Sequence, residues 1–213
     1  MCAKLDTTGL LADVTYAVLH GNADAGRERC RLYRRAVSGY WLTCELDLTS
    51  PISRSLYIEA HLTVDWLVES LNIRSFGQEH REASYYIEGL AWRATIQTDE
   101  TTIERAVPVG PEALVDFDPI GGVMLALWRI QLQERQTQTI DTLRIEQPSL
   151  EPVRAQQQFE CIGREFVKTS AGDFDAMHYF ANARHWWTDS HGIIVAASGY
   201  QLLEYHWLES NGG

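Results

Sequence analysis

The alternation of residues 56–68 constrains this chain more than any other feature. Leu56, Ile58, Ala60, Leu62, Val64, Trp66 and Val68 share one parity, while Tyr57, Glu59, His61, Thr63 and Asp65 share the other. Successive side chains of an extended strand point to opposite faces, so a period of two predicts a half-buried strand with one apolar face. Beyond Leu67 the apolar parity switches to Leu71 and Ile73. A switch of face within one long strand predicts a β-bulge near residues 67–69, and bulged strands are how a sheet curves strongly.

Other segments agree with a β-rich chain. Residues 29–37 and 40–49 flank Ser38-Gly39, which predicts a two-residue hairpin. That turn would set Tyr33 opposite Cys44 and Cys30 opposite Asp47, so the two cysteines would not be partners. Residues 83–96 and 101–107 flank a polar turn at 97–100. Residues 139–146, 153–162, 166–169, 174–181, 184–188, 193–198 and 200–208 complete a run of strands separated by turn residues. Residues 10–20 read equally as a short helix or a first strand. Residues 121–132 differ in kind, because they are almost continuously apolar and rich in helix formers. A short helix buried on most sides fits them best, with a core strand as the rival. The expected fold is mainly β: a strongly curved antiparallel sheet, half-barrel or barrel, with one short buried helix plugging its concave face. At 213 residues, a single β-rich domain over 1–213 is expected.

Charge narrows the partners. Eighteen basic against 29 acidic residues leave a net charge of −11, the opposite of the basic footprint that duplex nucleic acid or an anionic membrane surface requires. No nucleic acid and no stable membrane insertion are therefore expected; the longest strictly apolar run, residues 123–128, is far short of the ~20 residues that span a bilayer. Cys2, Cys30, Cys44 and Cys161 show no C-x-x-C spacing, so reduced and mostly buried thiols are expected. The first residues lack the basic start and apolar stretch of a signal peptide, which makes cytoplasmic the expected location. No cofactor is expected: glycine-rich nucleotide loops, a nucleophile elbow and an H-E-x-x-H helix are all missing.

Aromatic residues dominate what remains. Seven tryptophans, with Tyr85, Tyr86 and Tyr205, suit an aromatic-lined cavity that takes an apolar or sugar-like ligand by face contact. Trp66, on the presumed inward face, and Trp128, on the presumed helix, are the leading lining candidates, joined by Trp92, Leu62, Val64 and Trp187. His178, His185, His191 and His206 crowd the C-terminal strands, but their spacings of seven, six and fifteen match no local metal pattern, and no metal site is expected. For catalysis, His178, His206, Tyr86 and Glu88 are the candidate polar groups. Glu59, His61, Thr63 and Asp65 line one face of a strand whose solvated side explains them as well as chemistry does. Asp116 and Asp118 form a D-x-D read as a loop. Arg27, Arg29, Arg31, Arg34 and Arg35 form the one basic cluster, and their mixed parity argues against a single anion-binding patch.

The segment Thr169-Ser170-Ala171-Gly172-Asp173-Phe174-Asp175-Ala176-Met177-His178-Tyr179 resembles a T-x-A-G-x-F-x-A-x-x-Y element of bacterial β-rich proteins, in which a glycine turn opens a strand. Trp187, Asp189, Gly192, Ile193 and Val195 match the W-x-D-x-x-G-I-V-like hairpin that follows it there. About 45 C-terminal residues resemble the lipoprotein-carrier-like half-barrels and glycolipid-binding proteins. The resemblance implies a curved antiparallel sheet enclosing an apolar cavity, and it supplies no catalytic residues.

Three functions follow. The first is a binding or carrier protein for an apolar small molecule such as a lipid, glycolipid or polyketide-like compound. The alternative is a cofactor-free cyclase, isomerase or hydratase acting on a hydrophobic substrate in the same cavity. The feature that separates the two is whether a histidine or carboxylate points into the cavity. The third is an interaction or assembly protein, since a β-rich chain is suited to forming a homo-oligomer.

Overall fold

The computed structural model describes residues 7–77, 79–117 and 120–208. The chain enters the middle of a 15-stranded sheet with β1 (Thr7–His20) and steps outward by antiparallel hairpins. These are β2 (Ala23–Arg35), β3 (Tyr40–Leu48), β4 (Arg54–Leu62), β5 (Val68–Phe76), β6 (Arg81–Glu88), β7 (Ala91–Thr98) and β8 (Thr102–Val107), which forms one edge. The other edge is β9 (Leu114–Phe117), followed by α1 (Ile120–Ile130). From there β10 (Thr137–Ile145), β11 (Pro152–Thr169), β12 (Gly172–Ala181), β13 (Arg184–Thr188), β14 (Ile194–Ala197) and β15 (Tyr200–Trp207) step back until β15 pairs with β1. Every pairing is antiparallel except that of β9 with β10.

This order forces the sheet to curl. With strands about 4.8 Å apart, β8 and β9 would lie roughly 65 Å from each other in a flat sheet of this width. Residues 108–113, which join them, span at most about 25 Å. The edges must therefore approach, and side chains close one end of the seam. Arg105 of β8 pairs with Glu151 at 2.8 Å, the Tyr85 hydroxyl donates to the Leu150 carbonyl at 2.6 Å, and Arg81 donates to the Ser149 carbonyl at 3.4 Å. The loop between β10 and β11 thus ties down strands from the other half of the sheet.

The helix fills the concave side. Residues 120–128 of α1 are all buried. Leu56, Ile58, Ala60 and Leu62 of β4, Leu71 and Ile73 of β5, and Trp92, Ala94 and Ile96 of β7 belong to the same core. Glu28, fully buried on β2, caps the helix: its carboxyl oxygens accept the N–H groups of Ile120 at 3.2 Å and Gly121 at 3.3 Å. A helix start leaves backbone donors without partners, and a carboxyl group there also suits the helix dipole.

Several expectations are corrected. Residues 56–68 are not one strand with a bulge. β4 ends at Leu62, and residues 63–67 turn the chain back into β5. The Thr63 hydroxyl accepts the N–H groups of Asp65 and Leu67, its own N–H donates to the Leu67 carbonyl, and Trp66 takes a φ of 64°. The parity switch was the signature of a reversal. Residues 83–96 likewise split into β6 and β7, while residues 153–162 and 166–169 are one strand with a register shift at Gly163. Residues 10–20 are strand, and the helix begins at Ile120 and ends at Ile130.

The β2–β3 register is also shifted. Arg34 pairs with Tyr40, Tyr33 with Trp41, and Cys30 with Cys44, around a loop closed by the Arg35 N–H on the Gly39 carbonyl. Opposed residues share a face. The two-residue turn would have put Asp47 on the buried side with Cys30, whereas the observed register keeps Cys30, Leu32, Leu42 and Cys44 together inside.

Arg27, Arg29 and Arg31 share the outer face, each within reach of a carboxylate: Arg27 with Asp24 at 2.6 Å, Arg29 with Asp13 at 2.5 Å, Arg31 with Glu45 at 2.9 Å. The Arg29 guanidinium holds the Asp13 carboxyl below its ordinary range. A lowered native pKa adds stability that is present above the unfolded value near 3.9 and is lost as pH falls through the folded one. Asp13→Asn is therefore expected to flatten the loss of stability below about pH 4; urea midpoints measured between pH 2 and 7 check this, and an unchanged slope counts against it.

Candidate functional site

Trp66 and Trp128 meet, though not as strand and helix neighbours. The turn at 63–67 swings Trp66 over the C-terminal end of α1, where its ring lies 4.7 Å from that of Trp128. Tyr40 also stacks on Trp66 at 4.0 Å, with the two planes only 3° apart. Beside them is a cavity of about 370 Å³. Leu127, Leu132, Met177 and Tyr179 form its apolar wall, and Arg164, Asp175, Asp189 and His191 its polar one.

The polar wall is built by the turn between β13 and β14. Asp189 accepts the N–H groups of His191 at 2.9 Å and Ile193 at 2.8 Å, and its second oxygen accepts the Tyr205 hydroxyl. Burial, and then this carboxylate, push the Tyr205 phenol far above its usual range. Gly192 takes a φ of 77° and packs so tightly that a Cβ there would lie 2.3 Å from the Trp128 indole. Arg164 faces Asp175 across β11 and β12 at 3.1 Å. The indole N–H of Trp128 is buried and has no acceptor among the described residues.

The other lining candidates separate. Leu62 and Trp92 are fully buried core residues. Val64 stands 59% exposed at the tip of the turn. Trp187 lies on the outer face, because it pairs with His178 while its neighbour Trp186 points inward and is buried.

None of the four catalytic candidates lines this cavity. His178 points outward on β12, and His206 is exposed on β15 opposite Asp13. Tyr86 is 46% exposed, and Glu88 pairs with Arg93 at 2.8 Å. The polar groups that do line it, among them Arg164, Asp175, Asp189 and His191, were not singled out for that role; the W-x-D-x-x-G pattern was the signal for two residues of the turn, Asp189 and Gly192. His61 projects from the outer face, where burial lowers its pKa. Asp116 pairs with Arg144 at 3.2 Å on the wall of a larger, more open cleft of about 690 Å³ beside β9. Asp118 and Cys2 lie outside the described residues.

A second chemical cluster sits in the core. Glu28, Cys30 and Cys44 hold their ligand atoms within 4.8 Å of one another, with the two sulfurs 3.2 Å apart. Burial pushes both thiols up, so they remain protonated at neutral pH. Cys30 donates to Glu28 at 3.4 Å, which leaves this carboxyl group shared between a thiol and the helix start.

No family model matches the chain, and no curated protein does. Solved structures share the fold, two of them as follows. A β-barrel-like protein of the domain of unknown function DUF1849 from Brucella abortus has a TM-score of 0.60 at 8% identity, covering 94% of this chain and 98% of that one. A DUF1089 family protein from Pseudomonas aeruginosa has a TM-score of 0.54 at 17% identity, covering 81% and 89%. The chain is thus a curved-sheet, β-barrel-like protein, with one helix among the described residues lying inside the sheet. Among the described residues no helix is long and apolar enough to cross a membrane.

Proposed function

We propose that this protein binds an amphipathic small molecule in the Trp66–Trp128 cavity. The observation that carries this reading is the composition of its walls. Aromatic edges and aliphatic side chains face an ion pair and a carboxylate across a space of about 370 Å³, within the range of small-molecule sites. The apolar body of a lipid, glycolipid or polyketide-like ligand would contact Trp66, Leu127 and Met177. Its polar end would meet Arg164, Asp175 and Asp189. Resemblance of the C-terminal strands to glycolipid-binding half-barrels points the same way. Binding is favoured over catalysis because Asp175 and Asp189 are already engaged by Arg164, backbone N–H groups and Tyr205.

Native mass spectrometry of the purified protein and of its organic extract is expected to reveal a co-purified amphipathic molecule. The dye 1-anilinonaphthalene-8-sulfonate, used as a probe, is expected to bind at least about tenfold more weakly to Trp66→Ala, a loss of ~1.4 kcal/mol. Tyr86→Ala, on β6 and outside the lining, is expected to bind it as the parent does. An empty protein whose dye affinity is the same in Trp66→Ala would overturn the proposal.

A further inference from the structure

On the outer face of β11, β12 and β13, away from the cavity, three polar side chains form a chain. The Glu165 carboxylate lies 2.9 Å from His178 Nδ1, and His178 Nε2 lies 2.8 Å from His185 Nδ1. The second oxygen of Glu165 accepts the indole N–H of Trp187 at 2.8 Å. An indole can only donate and an ionised carboxylate can only accept, so both oxygens of Glu165 are acceptors. His178 Nδ1 then carries the proton, and in the neutral ring its Nε2 is a lone pair aimed at His185.

The arrangement is held in place before any ligand arrives. The β12–β13 turn has Asn182 and Ala183 at φ of 54° and 56°, the geometry of a tight hairpin turn, and it sets the register. Phe180 pairs with His185 and His178 with Trp187, which makes the two histidines diagonal neighbours on one face. The Trp187 ring stacks on His178 at 4.4 Å with a 17° tilt, and Phe180 lies 5.0 Å from His185. His178 is 7% exposed, whereas His185 opens to solvent.

We propose that His178 and His185 are the two protein ligands of a divalent transition-metal site, with Glu165 as the positioning carboxylate behind His178. A carboxylate on the far nitrogen of a ligating imidazole is a recurring support of metal sites, because it fixes tautomer and orientation. The proton between the rings has an outlet: as His185 Nδ1 takes up the metal, its proton moves to the exposed Nε2. A rotation of the exposed His185 ring then turns both lone pairs toward one ion, without net proton release and without change of oxidation state. Water fills the remaining positions on the solvent side. Two imidazole nitrogens already in contact need only a small adjustment to share one ion. Among divalent ions that imidazole binds, the general affinity order puts Cu²⁺ first, ahead of Ni²⁺ and Zn²⁺.

The test is titration of the metal-free protein with Cu²⁺ alone, following tryptophan fluorescence and the electron paramagnetic resonance of the bound ion. One equivalent is expected to bind, with a two-nitrogen signature and quenching through the stacked Trp187. His178→Asn and His185→Gln are expected to remove the stoichiometric site, and His80→Gln to leave it intact. Glu165→Gln is expected to weaken binding 10- to 100-fold while keeping the two-nitrogen spectrum, which separates a positioning residue from a ligand. Circular dichroism of each variant verifies that the sheet persists. Stoichiometric binding that survives both histidine substitutions, or no binding at micromolar Cu²⁺, would overturn the proposal.

Discussion

Glu28→Ala is expected to destabilise the protein by about 3 kcal/mol, because it leaves two buried helix donors without acceptors. Glu28 is 0% exposed, and its carboxyl group accepts the N–H groups of Ile120 and Gly121 and the Cys30 thiol. Water cannot replace these bonds, since residues 120–128 around them are buried. Relief of the cost of burying the carboxyl group offsets part of the loss, which is why the figure stays well below the sum of three broken bonds. Glu28→Gln keeps one acceptor and the side-chain volume, so its cost should be smaller by about half. Urea unfolding of the three proteins measures both. A Glu28→Ala cost below about 1 kcal/mol would mean that the helix start is satisfied by other groups.

The second large effect is steric. A Cβ added at Gly121 would lie 2.2 Å from the Cys44 sulfur and 3.6 Å from that of Cys30. Both thiols are on the buried side of adjacent strands, so neither can swing out. Gly121→Ala is expected to cost about 3 kcal/mol, by pushing α1 off the sheet or the cysteines off their rotamers. Cys44→Ala removes the atom that collides. The double variant Gly121→Ala/Cys44→Ala is therefore expected to be more stable than the sum of the two single effects predicts, by at least about 1 kcal/mol. Additive effects would show that the strain is in the helix backbone and not at the sulfur.

Both effects meet at one contact between strand and helix, and neither residue stood out in the sequence as a partner of the other. Glu28 lay just outside the strand expected over residues 29–37 and drew no attention. Its burial follows from a parity that places it between Gly26 and Cys30, facing α1, and the helix start it caps is 92 residues further on. Cys30 and Cys44 were set three positions out of register because Ser38-Gly39 looked like a complete turn. The loop is longer, and burial of the apolar face chose the register.

The site shows the same division. Trp66 and Trp128 stood out by their type and by the apolar company they keep, and the fold brings their rings together. Trp66 was expected on a strand, but Thr63 closes a turn that aims the ring instead. The polar wall opposite, Arg164, Asp175 and Asp189, comes from three separate strands or turns. No local spacing joins those residues. His178 and His185 were visible as histidines, yet seven residues apart along a chain means nothing until a hairpin turn makes them diagonal neighbours on one face. Glu165 joins them from a third strand.

By itself the sequence determined what short-range physics determines. Alternating apolar residues specified strands, and the near-continuous apolar run of residues 121–132 specified a buried helix. Curvature followed from many short strands and one helix to cover. Only the tertiary structure decided register, closure and the inward or outward sense of each polar side chain. Those depend on which edge meets which, and that is settled by the short link of residues 108–113 and by burial summed over the whole sheet. A one-residue slip sends every side chain of a strand to the opposite face. A functional group on a β-strand therefore has no address until its neighbours are known.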